Sequence, residues 1–301
     1  MGRLRLIFNG DDYGGALSIN AAVIRAHEGG VLTSASLMVT GDAVADAVRR
    51  AQEHPTLAVG LHVVVMGGRS LQPVLPAGQV PHLVDAKGHL PRNPFLAGVR
   101  YFLNPIVRAE LRREISAQFE RFRETGLPLA HVDGHYFMHM HPVVSAVLIP
   151  LAEQYGAPGI RLARDDLRLS LSLDRQRLAG KITWATLYGL LCRLAERRLR
   201  RSPLTVTDRA YGLLQLGRMH EPFVVGLLRG IDPAVRTAEL YFHPCTQRVD
   251  SPFGPNPGDL QALLSPRVRR AVQERGAQLT NYPALHASRH AAEPVPLYGS
   301  A

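Results

Sequence analysis

Arg3–Val39 reads RLRLIFNGDDYGGALSINAAVIRAHEGGVLTSASLMV. Leu4, Leu6 and Phe8 alternate with Ile7 over Arg3–Asn9, a short strand that is apolar on both faces. Ser18–Glu28 follows as a helix that Gly29-Gly30 stops. Val31–Val39 is a second apolar, β-branched strand. Strand, helix and strand in direct succession make a parallel βαβ unit, and strands apolar on both faces belong to a sheet covered on both sides.

The alternation continues outward from this unit. A helix capped by Asp42 runs through Glu53 and ends before Pro55. Leu57–Val65 is an apolar strand interrupted by His62. Residues 66–105 are rich in Gly and Pro and read as a long loop. Ile106–Glu124 is an amphipathic helix, Leu129–Asp133 a strand, and Pro142 opens a helix that ends near Tyr155. Ile160–Ala163 is a short strand, and 165–218 a less regular insertion, lid-like or membrane-facing. Glu221–Arg229 is helical, with strands at Thr237–Phe242 and Gln278–Tyr282. The pattern predicts an α/β fold, either a (β/α) barrel or an open doubly wound sheet, as a single domain over 1–285 with a mobile tail at 286–301.

Composition excludes several classes. The chain has 301 residues, of which 46% are apolar and 20% charged, so it is not disordered. Two cysteines, Cys192 and Cys245, make neither a disulfide framework nor a metal spacing, and read as reduced cytoplasmic thiols. The N-terminus turns acidic at Asp11-Asp12, unlike a secretory signal. The apolar run Ile182–Cys192 is too short for the ~20 residues a bilayer needs. Lys and Arg outnumber Asp and Glu by 35 to 25, a net charge of +10 that suits anionic partners. With 6% aromatic residues and none interleaved with the basic ones, nucleic acid is not expected.

Unusual residues stand where strands end, the place where parallel α/β folds collect their sites. The first strand runs into Asn9-Gly10-Asp11-Asp12-Tyr13-Gly14. Adjacent carboxylates repel, and a cation relieves them; the plainer alternative is an Asx-turn before Gly14. His131, Asp133 and His135 share one face at a period of two, and His139 and His141 follow. Two imidazoles and a carboxylate are a common divalent-metal ligand set. His62 and His243 gain weight only from falling at strand ends as well. A metal held by Asp and His, with a spare Asp and a spare His, would make a hydrolytic centre.

Together, Asn9-Gly10-Asp11-Asp12-Tyr13-Gly14, Gly60-Leu61-His62, His131-Val132-Asp133-Gly134-His135 with His139, and His243-Pro244 resemble the YdjC-like carbohydrate deacetylases. The Pro-rich loop, Asn93-Pro94-Phe95 and His141-Pro142 resemble the hopanoid-biosynthesis-associated, HpnK-type branch. The resemblance implies a distorted (β/α) barrel of the glycoside hydrolase/deacetylase type that removes acetyl groups from N-acetylated sugars. It implies Asp11 as general base, Asp12, His62 and His135 as ligands of one divalent ion, and His243 as general acid. The ion would be zinc or magnesium, with cobalt and nickel as alternatives. Arg161 would orient the catalytic carboxylate, Asp133 and His139 would support the ligands, and the backbone N–H at Tyr13 would hold the oxyanion. Phe137 stands where the family usually has a further histidine. The branch implies an N-acetylglucosaminyl hopanoid (bacteriohopanetetrol glycoside) substrate, with soluble chitooligosaccharides as the in-class alternative. A non-catalytic metal or polyanion binder is the rival class. Residues 181–201 combine an apolar stretch with a basic end, the composition either of a peripheral contact on the inner membrane face of a cytoplasmic protein or of a core helix with a solvated basic end.

Overall fold

β1 (Arg5–Tyr13) is the central strand, and every residue of it after Arg5 is buried. A computed structural model of the chain describes residues 3–67, 71–247 and 254–291. β1 pairs in parallel with β2 (Ser34–Leu37) on one side and with β6 (Thr237–Phe242) on the other. β3 (Ala58–Val63), β4 (Val132–Gly134) and β5 (Arg209–Tyr211) extend these into the order β4-β3-β2-β1-β6-β5, and β7 (Gln278–Leu279) pairs with the start of β1. Residues 159–164 close the ring. Ile160 bridges Val132, Gly159 bridges Thr205, and the Ala210 N–H donates to the Arg164 carbonyl. The result is a distorted (β/α) barrel.

The helices are, in chain order, α1 (Leu17–Gly29), α2 (Val44–Glu53), α3 (Pro94–Leu103), α4 (Pro105–Glu124), α5 (Pro142–Gln154), α6 (Leu167–Leu173), α7 (Leu178–Leu199), α8 (Glu221–Gly230), α9 (Pro257–Leu264), α10 (Pro266–Glu274) and α11 (Tyr282–His290), of which α11 closes one end of the barrel. Leu6 and Phe8 face the large core beneath these helices, whereas Ile7 turns inward and meets Tyr282 and Leu285 of α11. Above that plug the barrel interior is polar, occupied by Asn9, Asp11, Ser36, His131, Asp133, Arg161 and Glu239, all buried. Two glycines make the space. A Cβ at Gly60 would lie 2.5 Å from the His131 ring, and one at Gly159 would lie 2.3 Å from the Tyr282 ring.

Several sequence expectations need correction. Residues 66–105 are not simply a loop, because α3 lies within them. The 165–218 stretch contains α6 and the 22-residue α7. α2 begins at Val44 after Ala43, with no side-chain cap, so Asp42 is not its N-cap. Ile160–Ala163 makes an isolated bridge rather than a strand. β7 is only two residues long. Tyr282 belongs to α11, which Asn281 caps by accepting from the Ala284 N–H, so the expected mobile tail at 286–301 begins inside a helix. Residues 292–301 of that tail lie outside the described residues.

Candidate metal centre and catalytic cavity

A regular strand would send Asp11 and Asp12 to opposite faces. β1 does not remain regular: its register against β2 shifts between Gly10 and Tyr13, and Asp12 adopts a left-handed φ of 63°. The bulge turns both carboxylates toward the same space. After β4 the chain turns sharply, with Tyr136 and Phe137 at φ values of 51° and 57°. That turn sets His135 beside Asp12, with its Nδ1 3.0 Å from Asp12 Oδ1. His62 on β3 brings Nε2 to 3.4 Å from the same oxygen. Ligand atoms of Asp12, His62 and His135 all lie within 4.8 Å of one another. Asp12 Oδ1 is buried and satisfies hydrogen-bond geometry with neither ring. An orphaned carboxylate oxygen facing two imidazole nitrogens is what a divalent-ion donor set looks like, and these residues fit such an ion.

The next layer orients this one. His62 Nδ1–H donates to Asp133 Oδ1 at 2.7 Å, which leaves the Nε2 lone pair aimed at Asp12's side. Asp133 Oδ2 accepts from Ser36 Oγ at 2.7 Å and forms an ion pair with Arg161 Nη2, 2.8 Å away. Arg161 also grips Asp11 with both ends, at 2.7 and 2.8 Å, while Asn9 Nδ2 donates to Asp11 Oδ1 at 2.8 Å. Behind it, Glu239 accepts from Arg161 Nε at 2.9 Å and from the Tyr282 hydroxyl at 2.7 Å. The guanidinium lies over the Tyr241 ring at 4.4 Å. His243, one residue beyond β6, holds Nε2 3.9 Å from Asp11 Oδ2, and its backbone N–H donates to Asp259.

The comparisons with known proteins decide the family. The description "YdjC-like protein" matches residues 5–274. This chain belongs to the YdjC-like family. A carbohydrate deacetylase of Brevibacillus brevis is 39% identical over 155 residues, which make up 52% of this chain and 58% of that relative's length. The match thus spans little more than half of that protein. A chitooligosaccharide deacetylase of Serratia marcescens is 27% identical over 288 residues, covering 92% of this chain and 97% of that one. A solved structure from Enterococcus faecalis V583, provisionally assigned to cellobiose-phosphate cleavage, superposes with a TM-score of 0.74 at 23% identity. It covers 94% of this chain and 99% of that chain, and establishes the shared fold.

In this YdjC-like chain the charges explain one another. Asp11, Asp12, Asp133 and Glu239 are buried beside a single guanidinium, Arg161. Burial works against ionised Asp12, but His135 and His62 outweigh it and hold the carboxyl well below its usual range. Burial works against charged His62, yet Asp133 and Asp12 prevail and lift it to about 10. Burial drives His131 and His139 the other way, each down to about 4, so both rings are neutral. The site therefore lacks positive charge, which it recovers as a proton on His62 or as a metal ion.

The remaining sequence candidates lie nearby in different roles. His139 sits below the ligands, its Nδ1–H donating to the Gly134 carbonyl at 3.2 Å. The Tyr13 ring is buried with its hydroxyl donating to the Ala47 carbonyl, and its backbone is paired with Leu37 of β2, its carbonyl accepting from the Met38 N–H. His131 reaches Ser36 Oγ and stacks on Tyr282, away from the ligand cluster. Phe137 packs edge-on against Tyr188 and Tyr241, and the ligand cluster assembles without a histidine there. Sequence reading missed Ser36, Glu239, Asp259 and Tyr282. Glu239 alone carried a signal, a charged residue inside the apolar strand TAELYF.

Asp11, Asp12, His62, His135 and His243 form the polar floor of a cavity of about 1050 Å³. Its walls are mainly apolar, with Phe95, Phe102 and Leu103 of α3 opposite Trp184, Leu187 and Tyr188 of α7.

Proposed function

We propose that this chain is a metal-dependent N-deacetylase that hydrolyses the acetamide of an N-acetylated amino sugar to the free amine and acetate. The observation that carries the reading is the floor of the cavity. A clamped carboxylate (Asp11) and a separate imidazole (His243) lie beside a three-ligand cluster. When bound to Asp12, His62 and His135, a divalent ion supplies Lewis-acid polarisation of the acetyl carbonyl and acidifies water. Zinc suits the two imidazoles best, with cobalt and nickel close behind, and magnesium requires several waters as further ligands.

The protein supplies the proton transfers. Asp11 takes the proton of the attacking water. Arg161 and Asn9 fix the carboxylate so that little reorganisation is needed in the transition state. His243 Nε2 gives a proton to the departing nitrogen as the C–N bond breaks. Asp133 keeps the His62 ring in one tautomer, and His139 backs the turn that carries His135.

Within this class we favour an N-acetylglucosaminyl hopanoid, a bacteriohopanetetrol glycoside, over a water-soluble oligosaccharide. The cavity floor suits one sugar ring, whereas Val99, Leu103, Leu187 and Leu191 on the walls offer no hydrogen bonds to further sugars. They suit an apolar aglycone. The Serratia relative's name supports the second reading, a soluble chitooligosaccharide. Incubating the purified chain with each substrate and measuring released acetate separates them. Acetate from neither, with metal bound, would leave a non-catalytic metal binder.

A further inference from the structure

The apolar walls do not stop at the cavity. Phe95, Phe102, Leu103 and Leu187 line it and are also exposed, so they form its rim. Further exposed apolar side chains stand near these in sequence, on α3, on α7 and at the start of α4. Leu96 is 63% exposed, Ile106 54% and Leu190 55%, and none of the three lines the cavity. α3 buries only Ala97 and Tyr101 against the body, so its apolar side chains are spent on the outside. α7 buries only Lys181, Cys192 and Ala195 of its 22 residues. Exposed apolar side chains concentrated on the two helices that wall a site mouth mark a contact surface.

The charge pattern says what kind. No carboxylate occurs between Asp85 and Glu110, the segment that contains α3, nor between Asp174 and Glu196, the segment that contains most of α7. Those same segments expose Arg92, Arg100, Arg175 and Arg193. Elsewhere the two signs are mixed. Apolar groups interspersed with cations and cleared of anions match an anionic lipid surface, where apolar side chains enter the acyl boundary and arginines meet headgroup phosphates. No helix among the described residues is long and apolar enough to cross a membrane, so the contact would lie on the surface.

We propose that α3 and α7 seat the cavity mouth on an anionic bilayer, so that a lipid-linked sugar enters from the membrane without crossing water. The surface extends the basic 181–201 stretch to a second helix, α3, on the opposite wall. Its purpose rests on the apolar-aglycone reading above, but its test does not. The full chain carrying Asp11→Asn is floated, without substrate, with phosphatidylglycerol–phosphatidylcholine vesicles and with phosphatidylcholine vesicles, at ~0.15 M salt. Flotation with the anionic vesicles only is expected.

The triple variant Leu96→Ser/Ile106→Ser/Leu190→Ser is expected to lose at least tenfold in bound fraction. In the otherwise unsubstituted chain it should deacetylate a short water-soluble N-acetyl sugar at the original rate. Arg100→Glu/Arg193→Glu should weaken binding to anionic vesicles in parallel, and guards against a folding defect in the triple variant. Absence of flotation overturns the proposal, as does flotation unchanged by both variants. A dimer by light scattering that the triple variant dissociates, with no vesicle binding, assigns the face to a second copy of the chain and also overturns it. Failure of deacetylation on both substrates would sink the function while leaving the flotation result intact.

Discussion

The barrel interior and the cavity mouth are built on opposite rules. Inside, the charged groups are buried and held by partners drawn from different strands, and Arg161 alone ties together Asp11, Asp133 and Glu239. At the mouth, α3 and α7 turn apolar side chains outward with few fixed contacts. A network with a low local dielectric fixes geometry at high cost for any missing member, which suits proton transfer. An apolar rim tolerates substitution and gives affinity without geometry, which suits an aglycone. Substitutions inside should therefore change rate, metal binding or stability, and substitutions at the rim should change which substrate is bound.

The largest effect is expected at Asp11. Asp11→Asn keeps the Arg161 contact at one oxygen but removes the base, so acetate release should fall about 10²- to 10⁴-fold while metal content by elemental analysis stays the same. Undiminished acetate release would remove Asp11 from the chemistry and leave the interior no more catalytic than the rim.

Next in size is acid sensitivity, which belongs to the interior alone. His131 and His139 are held neutral by burial, at about 4 against an ordinary value of 6.5. The unfolded chain takes up these protons first. The stability they contribute is complete above pH 6.5, falls as the pH drops toward 4, and is gone below that. The loss is about 3 kcal/mol for each ring. His62, at about 10, works the other way from pH 7 to about 5.5, where only the unfolded ring takes up its proton, so it offsets one of the two rings there and adds no slope below that. Urea midpoints measured in chelator from pH 7 to ~4 should slope downward, and His139→Gln should flatten the curve. A slope indifferent to that substitution would show that other groups carry it.

What the sequence revealed follows the same division. The strand ends were readable because Asp11, Asp12, His62 and His135 are local breaks in apolar strands, and the structure places all of them on one floor. The links behind them were less legible: Tyr282 reaches Glu239 across a sequence separation that no local period encodes, and the hold of Arg161 on Asp11 was implied only by the family resemblance. α3 and α7 escaped for another reason. Helices are read from one apolar stripe facing the core, and these two expose much of their apolar surface while Pro94, Gly98 and Pro105 punctuate the first like a loop. α11 had a usable signal, Asn281 followed by Pro283 at its first turn, which the strand reading of Gln278–Tyr282 overrode.

A smaller effect is expected one layer behind the proposed metal ligands. Asp133→Asn still accepts a hydrogen bond from His62 but withdraws its charge, and should lower metal affinity by ~10- to 100-fold in a competition titration. Because a metal ion must displace the proton from His62, apparent affinity in the unsubstituted chain should rise with pH below about 10, and the variant should show a shallower rise. Equal affinities and equal slopes would mean that Asp133 serves the fold and not the ligand.

The smallest effect tests the rim. Leu103 lines the cavity yet is 70% exposed, so truncating it removes wall and leaves no buried void behind. Leu103→Ser should raise KM for a sugar carrying an apolar aglycone by about tenfold, the scale of one lost apolar contact, and leave kcat alone. On a water-soluble N-acetyl oligosaccharide neither constant should move, because its sugars gain nothing from that wall. An equal rise in KM for both substrates would place sugar rings, not an aglycone, against α3. A fall in kcat would mean that the rim takes part in setting the geometry of the floor, and the division between the two regions would no longer hold.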